Sequence, residues 1–247
     1  MEPLFFALFA VAFTAGIIKG VVGFGMPMVI LSGLSFFVPP QVALAGLILP
    51  TLLTNGWQAL HQGRQAAVQT IKRFKLFLLL GGIAMAASSQ LVTDLPEQIF
   101  LGALGLIIIG FTAVLAVGWQ LPAAACGPRS EAGLATVIGV IGGISGVWAP
   151  LTVTYLTAIG TSKQDQIRIQ GVIYGLGAVV LFFAHILSGV LNVQTLSLSA
   201  SLVPPALLGM WVGRKINGRV SALGFRRATL LVLVIAGINL LRRAFWG

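Results

Sequence analysis

Lys19 is the one basic residue set deep within an apolar stretch of this 247-residue chain. Keeping an ammonium at the centre of a bilayer costs about 2.5–3.5 kcal/mol, so it calls for a partner or a water-filled cavity. No embedded carboxylate supplies one, because Glu2, Asp94, Glu97, Glu131 and Asp165 all fall in loops or at segment ends. Beside Lys19 stand Gly23, Phe24 and Gly25, where a helix is weakened and backbone N–H groups come free. A lysine without a counter-ion next to such donors is suited to bind an anion. The alternative is a lysine that snorkels to a nearby interface.

Neutral hydrogen-bonding side chains occur in two stripes at helical spacing. Thr51, Asn55 and Gln58 share one face, and Gln170, Tyr174 and Gly177 repeat the spacing later in the chain. Either stripe could line a binding site or act as hydrogen-bonding glue between helices. His185 sits inside a late apolar segment, where a titrating role competes with a plain hydrogen bond to a carbonyl. No nucleophile–base pair, metal-ligand cluster or phosphate-binding lysine loop is present, so the chemistry is binding rather than catalysis, with no cofactor.

The stretch around Lys19 occurs twice. Gly16, Gly20, Gly23 and Pro27 match Gly139, Gly143, Gly146 and Pro150 at a constant offset of 123 residues, about half the chain. Matching breaks in two repeats of a membrane protein point to a binding site, which brings in Gly143, Ser145, Gly146 and Trp148 from the second copy. The glycine pairs also have the small-xxx-small spacing of closely packed helices. At the position matching Lys19 the second copy has Gly142, which leaves a single buried cation.

The elements that must hold these residues are membrane helices. The chain is 57% hydrophobic and 8% charged, with one cysteine, and its +10 net charge gathers at the ends of apolar runs. That pattern describes a polytopic membrane protein and argues against a nucleic-acid partner. Apolar segments cover 4–37, 42–60, 74–92, 97–117, 132–159, 169–191, 195–213 and 228–241. The first would be about 50 Å long as one helix, well beyond a hydrocarbon core of about 30 Å.

Acid-free basic loops at 61–75 (Arg64, Lys72, Arg73, Lys75) and 214–227 (Arg214, Lys215, Arg219, Arg226, Arg227) should both be cytoplasmic. Five apolar segments separate them, so they share a face only if one fails to cross. The broken segment 132–159 is read as a re-entrant hairpin, and by repeat symmetry so is 4–37. The expected fold is thus an all-α membrane protein of two inverted repeats, 1–120 and 121–247, each a broken helical hairpin plus three transmembrane helices. Both termini then lie outside, and Arg242 and Arg243 fall on the side where basic residues are unfavoured.

With its motif Lys19-Gly-Val-Val-Gly-Phe-Gly25 and the second copy Gly139-Val-Ile-Gly-Gly-Ile-Ser-Gly146 before Pro150, the chain resembles the TauE/SafE family of sulfite and organosulfur-anion permeases. It departs from the family pattern at Val147-Trp148-Ala149, where smaller residues are usual. The resemblance implies a transporter of sulfite, sulfonates or sulfur-containing carboxylates in a bacterial-type inner membrane. Absence of a buried carboxylate favours export, since an interior-negative potential drives anions out without a coupling ion. The partners expected are a small anion and the lipid bilayer, with homodimerisation left open. A membrane scaffold and an anion channel are the competing readings.

Overall fold

The computed structural model describes residues 2–119, 122, 127–217 and 222–246, so Cys126 and Arg219 lie outside it. Every regular element among these residues is helical. The first apolar run divides into α1 (Glu2–Val22) and α2 (Met26–Leu34). The break is Gly23-Phe24-Gly25, with Gly23 at φ 87° and Gly25 at φ 89°, a region that residues with a Cβ resist. Pro27 then sits in the first turn of α2, where a missing N–H removes no helical bond. α2 folds back along α1, and Gly33 admits Val11 so closely that a Cβ there would lie 2.6 Å from Cγ1.

The chain continues through α3 (Pro40–Leu60), α4 (Arg64–Arg73), α5 (Lys75–Ser89, extended by a 3₁₀ turn to Val92) and α6 (Glu97–Val117). Residues 61–75, expected as a loop, instead contain α4. Its sequence has no glycine or proline, Lys72 and Arg73 suit the negative end of the helix, and Ala67 and Thr70 are buried.

The second half runs α7 (Pro128–Ser145), α8 (Ala149–Ala158), α9 (Lys163–Leu187), α10 (Val193–Ser201), α11 (Val203–Ile216) and α12 (Ala222–Trp246). The break between α7 and α8 falls at the expected place, with Gly146 at φ 67°. Its arms splay, and α8 leans on α9 and α6 rather than back along α7. The positions matching Val11 and Gly33 are Leu134 and Leu156, two large side chains where the first half has one large and one absent. Residues 195–213, expected as a single helix, lie in one membrane-length span, Val193–Ile216, interrupted at Leu202 because Pro204 and Pro205 cannot donate to the turn before them.

Among the described residues, five helices are long and apolar enough to cross a membrane: Pro3–Val22, Lys75–Val92, Glu97–Val117, Asp165–Leu187 and Val193–Ile216. The principal packings join early helices to late ones: α1 with α11, α5 with α7, α3 with α9, and α6 with α12. Glycines make two of these seams. A Cβ on Gly16 would lie 2.2 Å from the Ala206 carbonyl and one on Gly20 2.3 Å from that of Met210. Their matches in the second half repeat the contacts, Gly139 at 2.2 Å from the Gly81 carbonyl and Gly143 at 2.3 Å from that of Met85. In lipid, where burying apolar surface between helices gains little, such backbone approach is a main source of association.

At the far end of α12, about 30 Å from its start, Arg243 donates to the Ser35 carbonyl and stands 3.9 Å from Glu97. The basic residue that sat badly with the charge rule therefore has a carboxylate beside it.

Candidate functional site

The two helix breaks meet. Gly25, Phe24, Pro27 and Met28 from the first, and Val147, Trp148 and Ala149 from the second, enclose a void of about 10 Å³ together with Lys19, Asn55 and Tyr174. That is room for about one water molecule. The first turns of α2 and α8 begin at this void, and no side chain caps either N-terminus. Both helix starts therefore bring the positive end of a helix dipole to the lining of the space that Lys19 borders.

Lys19 is 1% exposed, and its ammonium donates to the Asn55 side-chain oxygen. Its place follows from the glycine seam, since Gly20 lets the end of α1 press against the end of α11 beside Arg214. A neutral amide orients the ammonium without cancelling its charge. Tyr174 closes another wall, its hydroxyl donating to the Ala149 carbonyl at 3.1 Å.

The sequence-predicted residues fall into three groups. Lys19, Phe24, Gly25, Asn55, Trp148 and Tyr174 surround the void. Gly23, Gln58 and Gln170 stand together just beside it. A Cβ on Gly23 would lie 3.6 Å from Gln170 Oε1 and 3.8 Å from Gln58 Nε2, and both glutamines carry a buried Oε1 without a partner among the described residues. Gln58 donates its amide to the Ile167 carbonyl at 2.8 Å.

Gly143, Ser145 and Gly146 are not brought to the void. Gly143 faces Met85 and Ser88 on α5, and Gly146 faces Leu44 and Leu47 on α3. Ser145 is used within the second break, its oxygen accepting from Val147 N at 3.1 Å and donating to the Ile141 carbonyl at 2.7 Å.

A wider vestibule of about 280 Å³ reaches Lys19 from one face of the molecule. Lys19 and Gln58 are buried at its floor, while His61 and Asn217 are exposed at its mouth. Arg214 also lines it, a residue that the sequence marks only as one more charge of a cytoplasmic loop. Periodicity could have placed it, because Arg214 continues the α11 face that carries Ala206 and Met210.

Between α5, α7 and α9 a smaller space of about 50 Å³ lies against Trp148 of the second break. Gly142 occupies the place matching Lys19, and the Trp148 indole and Met85 fill the room it leaves.

No curated protein and no solved structure matches this chain. A family model described as Sulfite exporter TauE/SafE matches residues 8–240, nearly the full length. Apolar membrane-length helices, two glycine breaks and a buried lysine are thus found in a chain that belongs to the TauE/SafE sulfite exporter family, whose members are sulfite and organosulfur membrane transporters rather than enzymes.

Proposed function

We propose that the chain exports a small sulfur-containing anion (sulfite, a sulfonate or a sulfur-containing carboxylate) bound between the two helix breaks. The observation that carries this reading is the setting of Lys19: an ammonium without a carboxylate, held by Asn55 where two uncapped helix N-termini converge. The charge of Lys19 and the N–H donors of the helix starts match an oxyanion's need for several donors at once. The void is smaller than a sulfur oxyanion, so binding parts the two breaks, and that motion is the start of a transport cycle.

The chain is read as two inverted repeats, 1–120 and 121–247. Support comes from the reciprocal packing of α1 on α11 and α7 on α5, and from the equal glycine approaches at both seams. The vestibule opens on the face that holds Arg214, and by the charge rule this face is cytoplasmic, with both termini outside in an inner membrane. Trp148 packing over Gly142 at the second break suits a carrier with one side open at a time.

Flux in proteoliposomes tests the reading. Purified protein should move sulfite saturably, external sulfite should accelerate the exit of internal label, and Lys19→Gln should lose most of this exchange. Flux without exchange would mean a channel. Equal exchange in Lys19→Gln would dismiss the site.

A further inference from the structure

We infer that Arg214 and His61 form a second oxyanion site at the mouth of the vestibule, which collects the anion before it reaches Lys19. The inference rests on the proposed site at Lys19 for its inner half. Arg214 Nη2 donates to a His61 ring nitrogen at 3.0 Å, and its guanidinium carbon stands 5.7 Å from the centre of the Trp57 ring. Neither partner is a carboxylate, so the guanidinium is positioned without a compensating negative charge. Among the described residues no carboxylate lies within ion-pair distance of Arg214, although Arg168 and Arg243 each have one. A guanidinium fixed in this way keeps free N–H groups, in a planar fork that matches two oxygens of an oxyanion.

Position distinguishes this arginine from other surface charge. Arg214 borders the same vestibule as Lys19, Gln58 and Asn217, half-buried between the exposed mouth and the buried floor. The close approach of Gly20 to Arg214 N and of Gly213 to Ile17 O holds the ends of α1 and α11 together, which fixes the arginine relative to the lysine. An anion entering from this face meets a weakly hydrated guanidinium first and a dry ammonium second. Two cationic stations in series raise the local anion concentration and speed loading, as charge-lined clefts do. The same fork could hold a phospholipid headgroup, which shares the oxyanion chemistry. The soluble anion is favoured because the vestibule continues inward to Lys19.

The test uses the full chain in nanodiscs of neutral phosphatidylcholine, with sulfite and methanesulfonate as probes. In wild type, Arg214→Gln should slow association about ten-fold while equilibrium affinity at the inner site stays within roughly two-fold. Arg214→Lys should recover part of the rate, because the charge remains and only the fork is lost. In a Lys19→Gln background, weak saturable binding should persist and should vanish on adding Arg214→Gln. Thermal melting of each variant verifies the fold, and Arg214→Lys carries the comparison if Arg214→Gln unfolds. If Arg214→Gln changes neither association nor residual binding, the outer site is refuted while Lys19 stands. Should an effect appear only when phosphatidylglycerol is added, the arginine serves a lipid headgroup and the proposal is overturned. Failure of Lys19→Gln to weaken the tight site would instead remove the inner site alone.

Discussion

Trp148 packs its indole over Gly142, so that a Cβ on Gly142 would lie 3.0 Å from ring atom Cε3. At the matching positions of the first half stand Gly25 and Lys19. Each half therefore pairs one large side chain with one glycine, but in opposite order. The first half places an ammonium where the second leaves space, and the second places an indole where the first leaves space. The vestibule reaches Lys19, and the Trp148 indole covers Gly142.

Trp148→Ala should unseal the face away from the vestibule. Removing the ring empties room between α5, α7 and α9 and costs about 3–5 kcal/mol of stability. In a background with Cys126→Ser, Val180→Cys beside this space should react faster with a membrane-impermeant thiol reagent applied to that face. Equal labelling rates with and without the tryptophan would show that something else makes the seal.

Gly16→Ala and Gly139→Ala should each destabilise the fold, because the new methyl meets a backbone carbonyl that cannot rotate away. About 1–3 kcal/mol per substitution is expected from overpacking. Gly110→Ala, at a helical position with open space, is the control and should be neutral or slightly stabilising. Thermal melts in one detergent decide this, and unchanged midpoints in the two seam variants would disprove the close approach.

Gly25→Ala separates conformation from space. Nothing nearer than the Ile18 methyl, at 3.5 Å, obstructs a Cβ there, but φ 89° is unfavourable for alanine by about 1–2 kcal/mol. Relaxation of that strain turns the start of α2 away from the void. Sulfite affinity should fall while the melting midpoint drops only a few degrees. Wild-type affinity would mean that the α2 N-terminus does not face the anion.

Much of this was legible in the sequence, because glycine and proline mark breaks through backbone sterics alone. The offset between Gly16 and Gly139 located both breaks, and the charge of Lys19 in an apolar run pointed to the candidate site. Packing decided the remainder. α4 reads as a loop because Arg64, Lys72 and Arg73 mark an acid-free basic join between apolar runs, yet Ala67 and Thr70 are buried and seat it. The splay of α7 from α8 goes with the large side chains at Leu134 and Leu156, which become informative only once the matching pair, Val11 and Gly33, is seen in contact. Arg214 was hidden by its neighbours, since one arginine in a basic segment resembles the next until a cavity distinguishes it. Ser145 had the right chemistry for a ligand, but its hydroxyl is taken up by the backbone of its own break.

Asn55→Asp should harm binding more than Asn55→Ala. Alanine removes only the support of the ammonium, a loss of about 1 kcal/mol or several-fold in affinity. Aspartate provides the counter-ion that the site lacks, cancels the charge of Lys19 and repels the incoming anion. Gln170→Ala, beside the void rather than on it, should have the smallest effect of the three. Sulfite titrations of the purified variants give the order, and an aspartate variant that binds as well as wild type would contradict the role of an unpaired cation.

The most direct measurement is the sulfite affinity of Lys19→Gln against wild type in purified, folded protein. A charge-assisted hydrogen bond contributes about 1.5–3 kcal/mol, so affinity should fall roughly ten- to a hundred-fold. The melting midpoint should hold or rise, because a buried charge has been removed. Lys19→Arg should bind poorly as well, since a planar fork does not fit a site shaped around a compact ammonium. Undiminished sulfite affinity in Lys19→Gln would contradict the account, because the anion would then be held without the cation on which the site is built.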